Sequence, residues 1–367
     1  MKIGIVAPPW LPVPPPAYGG SEAVIDVLAR GLVGAGHDVC LFATEDSTCP
    51  VPTRALAPAA PAQRMGAAAV ELPHVLAAHD ALRDCDVIHD HTLSGPVLAS
   101  RWGRDLPPVV TTAHGPMDGE LRSLYRALAG RVPVIAVSKA QAASAPVAVE
   151  ATIHHGVDLA TYRYGAGQGD YLCFLGRMCP EKGADRAIDI ARAAGLPLRI
   201  AAKMREPAER AFFDAVIAPR LGGEIEYVGE VGLADKITLL QDARALVNPI
   251  DWPEPFGLVM IEALACGTPV LTLAAGAAPE IVVDGETGFV ARRLDDLIVG
   301  AQMIGQLDRD ACRRSAETRF SAARMARDHV EVYRRVVGRR LEAAVAAPAV
   351  ASQVIVPFVS PDGGLPR

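Results

Sequence analysis

Short continuous apolar runs alternate with amphipathic segments along most of this chain. The first run, residues 2–7, ends at two prolines, as a strand buried on both faces does. After a glycine pair at 19–20, Ser21 can cap a helix whose apolar positions recur at helical spacing up to Gly34. Strand, glycine turn and helix together predict a βα unit. Similar β-branched runs recur at residues 39–43, 87–89, 109–112 and 134–137.

The pattern starts again after a glycine-rich stretch that has no apolar periodicity. A strand is predicted at 171–175, a helix at 184–194, and further strands at 198–201, 225–228, 245–248 and 269–273. Short buried strands separated by helices imply parallel crossovers, so we predict an α/β protein with two Rossmann-like, doubly wound parallel-sheet domains. The hinge is placed within residues 156–170, between domains 1–160 and 161–320.

Two further predictions concern the end of the chain. Residues 321–340 follow Phe320 with apolar positions at helical spacing, which predicts a helix. Residues 344–367 are rich in Ala, Pro and Val without periodicity, which predicts a flexible tail. The total of 367 residues fits two domains better than one.

Composition narrows the class of protein. The net charge is −6 and no basic run is long enough to follow a phosphate backbone, so nucleic acid is not an expected partner. The seven cysteines form no C-x-x-C pair, and several lie in apolar runs, which favours a reducing compartment. No apolar run reaches the roughly 18 residues of a membrane span, and the N-terminal run is too short for a secretory signal. We therefore expect a cytoplasmic protein without a transmembrane segment.

The most informative stretch for chemistry is WPEPFGLVMIEALACGTPVL, residues 252–271. Glu254 precedes a Pro-Phe-Gly turn, and Glu262 follows on a helix that begins near Gly257, about 12 Å along its axis. Two carboxylates so spaced can address two ends of one ligand, and the amides at the helix N-terminus favour an anion such as a diphosphate. Alternatively, Glu262 is a surface residue and Glu254 a helix cap. The amides concerned are those of Phe256, Gly257, Leu258 and Val259.

A second candidate motif, GRMCPEKG at residues 176–183, connects a predicted strand to a predicted helix. Such a turn lies at the carboxyl edge of a doubly wound sheet, where ligands bind. Arg177 and Lys182 would there supply two cations to neutralise a leaving diphosphate. Surface ion pairing is the alternative role. The motif is not a Walker loop, and no G-x-G-x-x-G follows a strand, so P-loop and dinucleotide chemistry lose support.

Candidates in the first half are weaker. Gly19 and Gly20 precede a helix and allow a phosphate to approach the backbone closely. His114 ends a predicted strand at the sheet edge that faces the second domain, although an imidazole at a strand end is more often structural. His89 and His91 share one strand face without an evident third ligand, so a metal site is not expected. His154 and His155 are interpreted as structural.

Together these residues resemble glycosyltransferase family 4 (group 1), whose members are retaining enzymes with the GT-B fold and use nucleotide sugars. The resemblance covers residues 1 to about 340, and its most specific part is the E-x7-E spacing from Glu254 to Glu262. It departs from the family at His155-Gly-Val-Asp158, where Asn usually precedes Gly-Val-Asp. It implies a central cleft between the domains, with the acceptor mainly on the first and the donor on the second, and a C-terminal helix that crosses back onto the first domain.

The resemblance also implies roles for the candidate residues. Glu254 and the amides after it would hold the transferred sugar, and Glu262 the ribose. Arg177 and Lys182 would hold the diphosphate, with Gly19 and Gly20 approaching it from the first domain, and His114 would lie beside sugar and acceptor. The segment YVGEVGLADK at residues 227–236, and especially Gly229 to Val231, would be a backbone platform for the base. Glu280 matches a common family position without a role that the sequence explains.

These observations predict a retaining transferase that moves a hexose-type sugar from a nucleoside-diphosphate sugar to an acceptor hydroxyl. No cofactor is expected, and no metal either, because no Asp-x-Asp motif stands at a strand end and helix amides with two cations can replace it. A non-hydrolysing nucleotide-sugar epimerase and a catalytically silent nucleotide-sugar binding protein remain as alternatives. The base (UDP or GDP among the expected donors), the sugar, the oligomeric state and the acceptor, whether small molecule, lipid or saccharide, are left open.

Overall fold

Two parallel β-sheets organise the chain, and each is formed by one half of it. The computed structural model of the protein describes residues 1–102 and 106–346. The first sheet has seven strands in the order β3-β2-β1-β4-β5-β6-β7, all paired in parallel. Its strands are β1 (Lys2–Val6), β2 (Asp38–Ala43), β3 (Thr53–Ala55), β4 (Val87–Asp90), β5 (Val109–Ala113), β6 (Val134–Ala136) and β7 (Ala151–Thr152).

The second sheet has six strands, again all parallel. Their order is β10-β9-β8-β11-β12-β13. The strands are β8 (Leu172–Arg177), β9 (Leu198–Lys203), β10 (Ile225–Gly229), β11 (Ala245–Asn248), β12 (Val270–Leu273) and β13 (Gly288–Ala291). Both sheets therefore confirm the α/β, doubly wound architecture expected from the repeated strand–helix pattern.

Helices cover the sheets, because a parallel crossover needs a long connection that returns over one face. Short 3₁₀ turns lie at Ala62–Arg64, Gly119–Leu121, Pro180–Lys182, Ala218–Arg220 and Ile304–Gln306, and a π turn at Phe213–Ile217. The α-helices are α1 (Gly20–Gly34), α2 (Ala68–Ala81), α3 (Ser94–Trp102), α4 (Arg122–Leu128), α5 (Lys139–Ser144), α6 (Ala184–Ala194), α7 (Pro207–Phe212), α8 (Leu233–Asp242), α9 (Leu258–Ala265), α10 (Ala278–Ile281), α11 (Leu294–Met303), α12 (Arg309–Arg319) and α13 (Ala322–Ala346).

The strand order determines where a ligand can bind. In each sheet the chain runs outward from the first strand, returns, and continues on its other side, so the direction changes between β1 and β4 and between β8 and β11. In open parallel sheets this switch point leaves a crevice at the carboxyl ends of the strands. The connections after β1, β8 and β11 hold many of the candidate residues, while His114 and Val231 follow the neighbouring strands β5 and β10.

Each sheet has an apolar cluster on both of its faces, which explains why its strands appear as continuous rather than alternating apolar runs. All seven cysteines are buried free thiols within or beside these clusters, as small hydrophobic residues are. Three strands were not predicted from the sequence, and all of them are short. β3 and β7 have three and two residues, and β13 has four residues, of which the first is Gly288. Such segments carry too little β-branched pattern to stand out.

The first helix begins differently from the expectation. Gly20 is its first residue and Gly19 occupies the N-cap position, so Ser21 lies inside the helix and does not cap it. A side-chain cap is therefore absent at this described helix end. Glycine at both positions leaves the first-turn amides accessible from the loop.

The last helix, α13, packs against α1 and the first sheet although its sequence follows the second sheet. A Cβ placed on Gly31 would lie 3.1 Å from both the Ala322 carbonyl oxygen and the Ala326 Cβ, so glycine allows the two helices to approach closely. Tyr333 is fully buried there, and its hydroxyl lies 2.7 Å from His89 Nδ1. The helix continues to Ala346, past residue 344 where the predicted tail begins, and residues 347–367 of that tail lie outside the described residues.

We expect Tyr333→Phe to lower the free energy of unfolding by about 1–3 kcal/mol, because it leaves a buried imidazole nitrogen of His89 without its partner. Tyr164→Phe is the matched control, because that side chain is 45% exposed and its loss should change stability by less than about 0.5 kcal/mol. Urea unfolding followed by circular dichroism measures both. Equal midpoints for the two variants would contradict the prediction.

Candidate functional site

A cleft of about 720 Å³ lies where the carboxyl edges of the two sheets face each other. Residues from both halves line it, and most of the candidates from the sequence are among them. Arg177 and Gly229 are the two candidates that do not form its wall. The candidates that do are Gly19, Gly20, His114, Lys182, Val231, Glu254, Phe256, Gly257, Leu258, Val259 and Glu262.

The two exceptions each adjoin a residue that lines the cleft. Arg177 is the last residue of β8 rather than part of the turn, and its guanidinium faces the phenol of Tyr18, which does line the cleft. Burial raises the pKa of Tyr18, while Arg177 opposes that shift. Gly229 ends β10 with a φ of +88°, a backbone conformation that glycine adopts without strain, and thereby turns Glu230 to Gly232 into the cleft.

Two helix N-termini, one from each half, meet in this cleft. Gly20 of α1 lies against Leu258 of α9, since a Cβ on Gly20 would be 3.4 Å from Leu258 Cδ1. Gly257 takes the N-cap position of α9 with a φ of +94°, and the first backbone bond at this helix end is from the Met260 amide to the Gly257 carbonyl, 3.1 Å. The earlier amides of each helix, together with the positive dipole ends, favour an anion between the domains.

Lys182 and Glu254 form an ion pair inside the cleft. Lys182 Nζ lies 2.7 Å from Glu254 Oε2, and the side chains are only 13% and 17% exposed. Lys182 comes from the 3₁₀ turn after β8, and Glu254 from the loop after β11. The backbone carbonyl of Glu254 accepts a hydrogen bond from the Ala277 amide at 3.1 Å, which anchors the loop. Lys182 and Glu254, which were expected to bind the diphosphate and the sugar respectively, thus hold each other in place.

Glu262 is buried and has two partners that the sequence analysis missed. The Tyr162 hydroxyl donates to Glu262 Oε1 at 2.6 Å, and Lys236 Nζ lies 2.7 Å from the same oxygen. Burial and the Glu262 carboxylate raise the pKa of Tyr162 well above its ordinary value, so its hydroxyl remains a donor. Both partners engage Oε1, which leaves Oε2 for a ligand. Lys236 lies seven positions after Gly229 in the segment already singled out, whereas Tyr162 carried no signal in sequence.

His114 follows β5 and lies beside the cleft as expected. Its Nε2 is 2.8 Å from His91 Nδ1, and its ring stacks on His155 with centroids 5.5 Å apart. Burial lowers the pKa of His114 to about 4, so the ring is neutral near neutral pH. His155, which was interpreted as structural, also lines the cleft. The substitution in the His-Gly-Val-Asp motif therefore places an imidazole at the site itself.

Glu280 joins the two halves through its carboxylate. Its carboxylate accepts hydrogen bonds from the amides of Lys139 and Ala140, at 2.9 and 2.7 Å, and lies 2.9 Å from His154 Nε2. The two amides begin α5 of the first half, whereas Glu280 lies on α10 of the second. The sequence did not explain Glu280, and these contacts show that it links α10 to α5.

The histidine pair near β4 is not arranged as a metal site. The two nitrogens of His89 face the Tyr333 hydroxyl at 2.7 Å and the Thr112 hydroxyl at 2.9 Å, so both are engaged. Over residues 1–102 and 106–346, no group of three or more His, Cys, Asp or Glu could hold a metal ion. Within the same residues no helix combines the length and the apolar character needed to cross a bilayer.

Two family models match adjoining parts of the chain. Residues 18–161 match the model of glycosyltransferase family 4, and residues 165–296 match that of the group 1 glycosyl transferases. The chain belongs to the group 1, family 4 glycosyltransferases. The junction between the matches, at residues 161–165, lies in the linker between β7 and β8.

The sequences of curated relatives align with this glycosyltransferase along most of its length. A phosphatidyl-myo-inositol mannosyltransferase of Mycolicibacterium smegmatis is 26% identical over 351 residues, which covers 88% of each chain. A D-inositol 3-phosphate glycosyltransferase of Frankia alni is 28% identical over 351 residues, covering 76% of this chain and 83% of its own.

Solved structures show the same GT-B architecture. AviGT4, a glycosyltransferase involved in avilamycin A biosynthesis, is 28% identical with a TM-score of 0.73, covering 92% of this chain and 98% of its own. The sucrose-phosphate synthase of Thermosynechococcus elongatus has a TM-score of 0.74 at 19% identity, covering 94% of this chain and 100% of its own. At that identity the second likeness concerns the fold alone, which confirms the expected two-domain arrangement.

We expect Glu280→Gln to destabilise the glycosyltransferase by about 1–3 kcal/mol at pH 7, because an amide cannot accept from all three donors. Despite burial, these donors lower the pKa of Glu280 below its ordinary 4.5. A lowered folded-state pKa means that the carboxylate stabilises the fold above pH 4.5 and that this contribution is lost as the pH falls through the lowered value.

Urea unfolding at several pH values measures this difference. The gap between wild type and Glu280→Gln should shrink as the pH falls from 7 toward 3, whereas the exposed control Glu286→Gln should match wild type throughout. A gap that is independent of pH would show that the carboxylate charge is not what joins the two halves.

Proposed function

We propose that this glycosyltransferase moves a hexose-type sugar from a nucleoside-diphosphate sugar to an acceptor hydroxyl, with retention of configuration and without a metal. The observation that carries the proposal is the meeting of two helix N-termini beside Lys182 in the interdomain cleft. Unpaired amides from both domains and one buried cation form a site whose chemistry suits a diphosphate. We also propose that residues 1–160 form the acceptor-side domain and residues 161–320 the donor-side domain.

The nucleoside end of the donor is proposed to lie beside Glu262. Tyr162 and Lys236 occupy Oε1 of that carboxylate, so Oε2 is left to accept hydrogen bonds from ribose hydroxyls. The turn after Gly229 presents the backbone of Val231 to the same part of the cleft, where it can contact the base. A buried carboxylate with fixed partners is a preorganised acceptor, because its desolvation is already compensated in the free protein.

The sugar end is proposed to lie between Glu254 and His114. Glu254 Oε1 is not engaged by Lys182, whose ammonium faces Oε2 and also borders the anion site. One cation thus orients the carboxylate that accepts from sugar hydroxyls and stabilises charge that grows on the diphosphate. Arg177 would add a second cation once Tyr18, which now faces it, gives way to the phosphate.

The proposal of retention is supported by the state of the two candidates for the usual devices, His114 as a base and Glu254 as a nucleophile. His114 is neutral, and its Nε2 is occupied by His91, so it is not arranged as a base for an acceptor hydroxyl. Glu254 is paired with Lys182 in the donor domain, which disfavours a covalent intermediate. The remaining route is a same-face displacement. The bond from the anomeric carbon to the diphosphate oxygen breaks, the acceptor oxygen bonds to that carbon, and the leaving oxygen takes the acceptor proton.

A thermal-shift panel of uridine, guanosine and adenosine diphosphates and their sugars tests the donor site. We expect one nucleotide to raise the melting temperature, since saturation at 100 times Kd adds about 2.7 kcal/mol of stability. Glu262→Gln should reduce that shift, because it removes the charge between Tyr162 and Lys236. Glu286→Gln, an exposed change of the same type, should leave it intact. No shift with any nucleotide would reject the proposed donor class.

A transfer assay with the nucleotide sugar so identified tests the reaction itself. Inositol and inositol phosphates come first among acceptors, because the two curated relatives are named for inositol-containing acceptors. Transfer should persist in EDTA. With an α-linked donor, proton NMR of the product should show an α-linkage. A β-linked product would reject retention, and loss in EDTA that Mg²⁺ or Mn²⁺ restores would reject metal independence. Conversion of the donor without any acceptor would favour the epimerase instead.

A further inference from the structure

Five imidazoles form a continuous row from the core of the first domain to the cleft. His329 on α13 faces His89 with ring centroids 5.3 Å apart, and His89 lies 3.9 Å from His91. His91 is next to His114 at 5.0 Å, and His114 stacks on His155 at 5.5 Å. His114 and His155 line the cleft, so the row connects the buried core directly to the proposed sugar position.

The nitrogens of His91 are the informative part of this row. Its Nδ1 lies 2.8 Å from His114 Nε2, so exactly one proton is shared between these two nitrogens. Its Nε2 is buried and has no hydrogen-bond partner among the described residues. If Nε2 of His91 is unprotonated, the proton of this ring lies on Nδ1 and is donated to His114 Nε2. If instead His114 donates, the proton of His91 must lie on Nε2, which would bury an N–H group without an acceptor.

The two arrangements differ in cost. Orphaned N–H donors are rarer in folded proteins than acceptors with an unused lone pair. The favoured arrangement therefore has His91 Nδ1–H donating to His114 Nε2. A neutral His114 then carries its own proton on Nδ1, the nitrogen for which the described residues supply no partner.

We propose that His91 is a positioning residue that fixes His114 in the Nδ1–H tautomer, so that His114 donates a hydrogen bond to the transferred sugar. This inference rests on the proposed function, which puts the sugar beside His114. It assigns opposite tasks to the two nitrogens: Nε2 is held by His91, and Nδ1–H faces the ligand. It also explains why an imidazole at this place does not deprotonate the acceptor, since neither nitrogen has a lone pair available to it.

The surroundings of the pair maintain this state. Burial lowers the pKa of His91 and of His155 well below the ordinary value, as it does for His114, so the row does not gain protons near neutral pH. The near-parallel His155 ring, tilted 21° from His114, limits rotation of the ring. His89 covers the other side of His91 and is itself fixed by Tyr333 and Thr112.

Long-range ¹⁵N–¹H NMR on the full chain with ¹⁵N-labelled histidine measures the tautomer directly. The chain has nine histidines, and difference spectra of His114→Asn and His91→Asn assign the two signals. We expect His114 to show a protonated Nδ1 and an unprotonated Nε2. His91→Asn should preserve that state, because an Asn amide can place an N–H close to the position of Nδ1. A protonated Nε2 on His114 in the wild-type protein would overturn the proposal, whether or not any variant folds.

A matched pair of substitutions tests the same assignment in turnover. An Asn amide can place its nitrogen near Nδ1 of the histidine it replaces, whereas a Gln amide places it near Nε2. We expect His114→Gln to lose roughly 10²-fold in kcat, as for other lost transition-state donors, and His114→Asn to lose about tenfold less. Equal losses, or the reverse order, would overturn donation from Nδ1. If the wild-type protein transfers no sugar, the proposed function fails, and NMR still decides the tautomer.

Discussion

The meeting of two positive helix ends in one cleft is the constraint around which this protein is built. The N-termini of α1 and α9 come into contact through Gly20 and Leu258, so unpaired amides from both domains converge. Two such ends repel each other, and negative charge between them makes their approach more favourable. Glu254 precedes α9 and Glu262 lies on it, and the carboxylate of each is held by a lysine. The cleft therefore holds fixed charges of both signs before any ligand arrives.

Paired charges give the cleft a defined geometry. A buried ion pair compensates part of the cost of removing its members from water, and its direction is fixed by short contacts. Lys182 with Glu254 and Lys236 with Glu262 each leave one carboxylate oxygen unengaged by the pair. A ligand that carries both hydroxyl groups and a diphosphate matches this arrangement, because hydroxyls donate to carboxylates and phosphate oxygens accept from amides and ammonium groups.

The last described helix and the linker between the domains are tied into the same centre. The helix α13 returns to the first domain, where its Tyr333 contacts His89, the second member of the histidine row. Arg324 on that helix also donates to the backbone carbonyls of His154 and His155 in the linker. Glu280 then joins the linker to α5. The segments that connect the domains are thus held by residues distant in sequence, which places His155 in the cleft wall rather than in a loose loop.

The sequence alone determined the α/β class and the two repeated halves, and most of the candidate residues chosen from it line the cleft. Continuous apolar runs identified strands buried on both faces, and glycine and proline identified the turns at their carboxyl ends, because these are local properties. Strands β3 and β7 were too short to carry that pattern. Tertiary structure alone decided which charges meet. Tyr162 reaches Glu262 from 100 positions away, Glu280 reaches Ala140 from 140 away, and Arg177 lies behind Tyr18. Contacts of this kind depend on how two domains face each other, and no local spacing encodes that geometry.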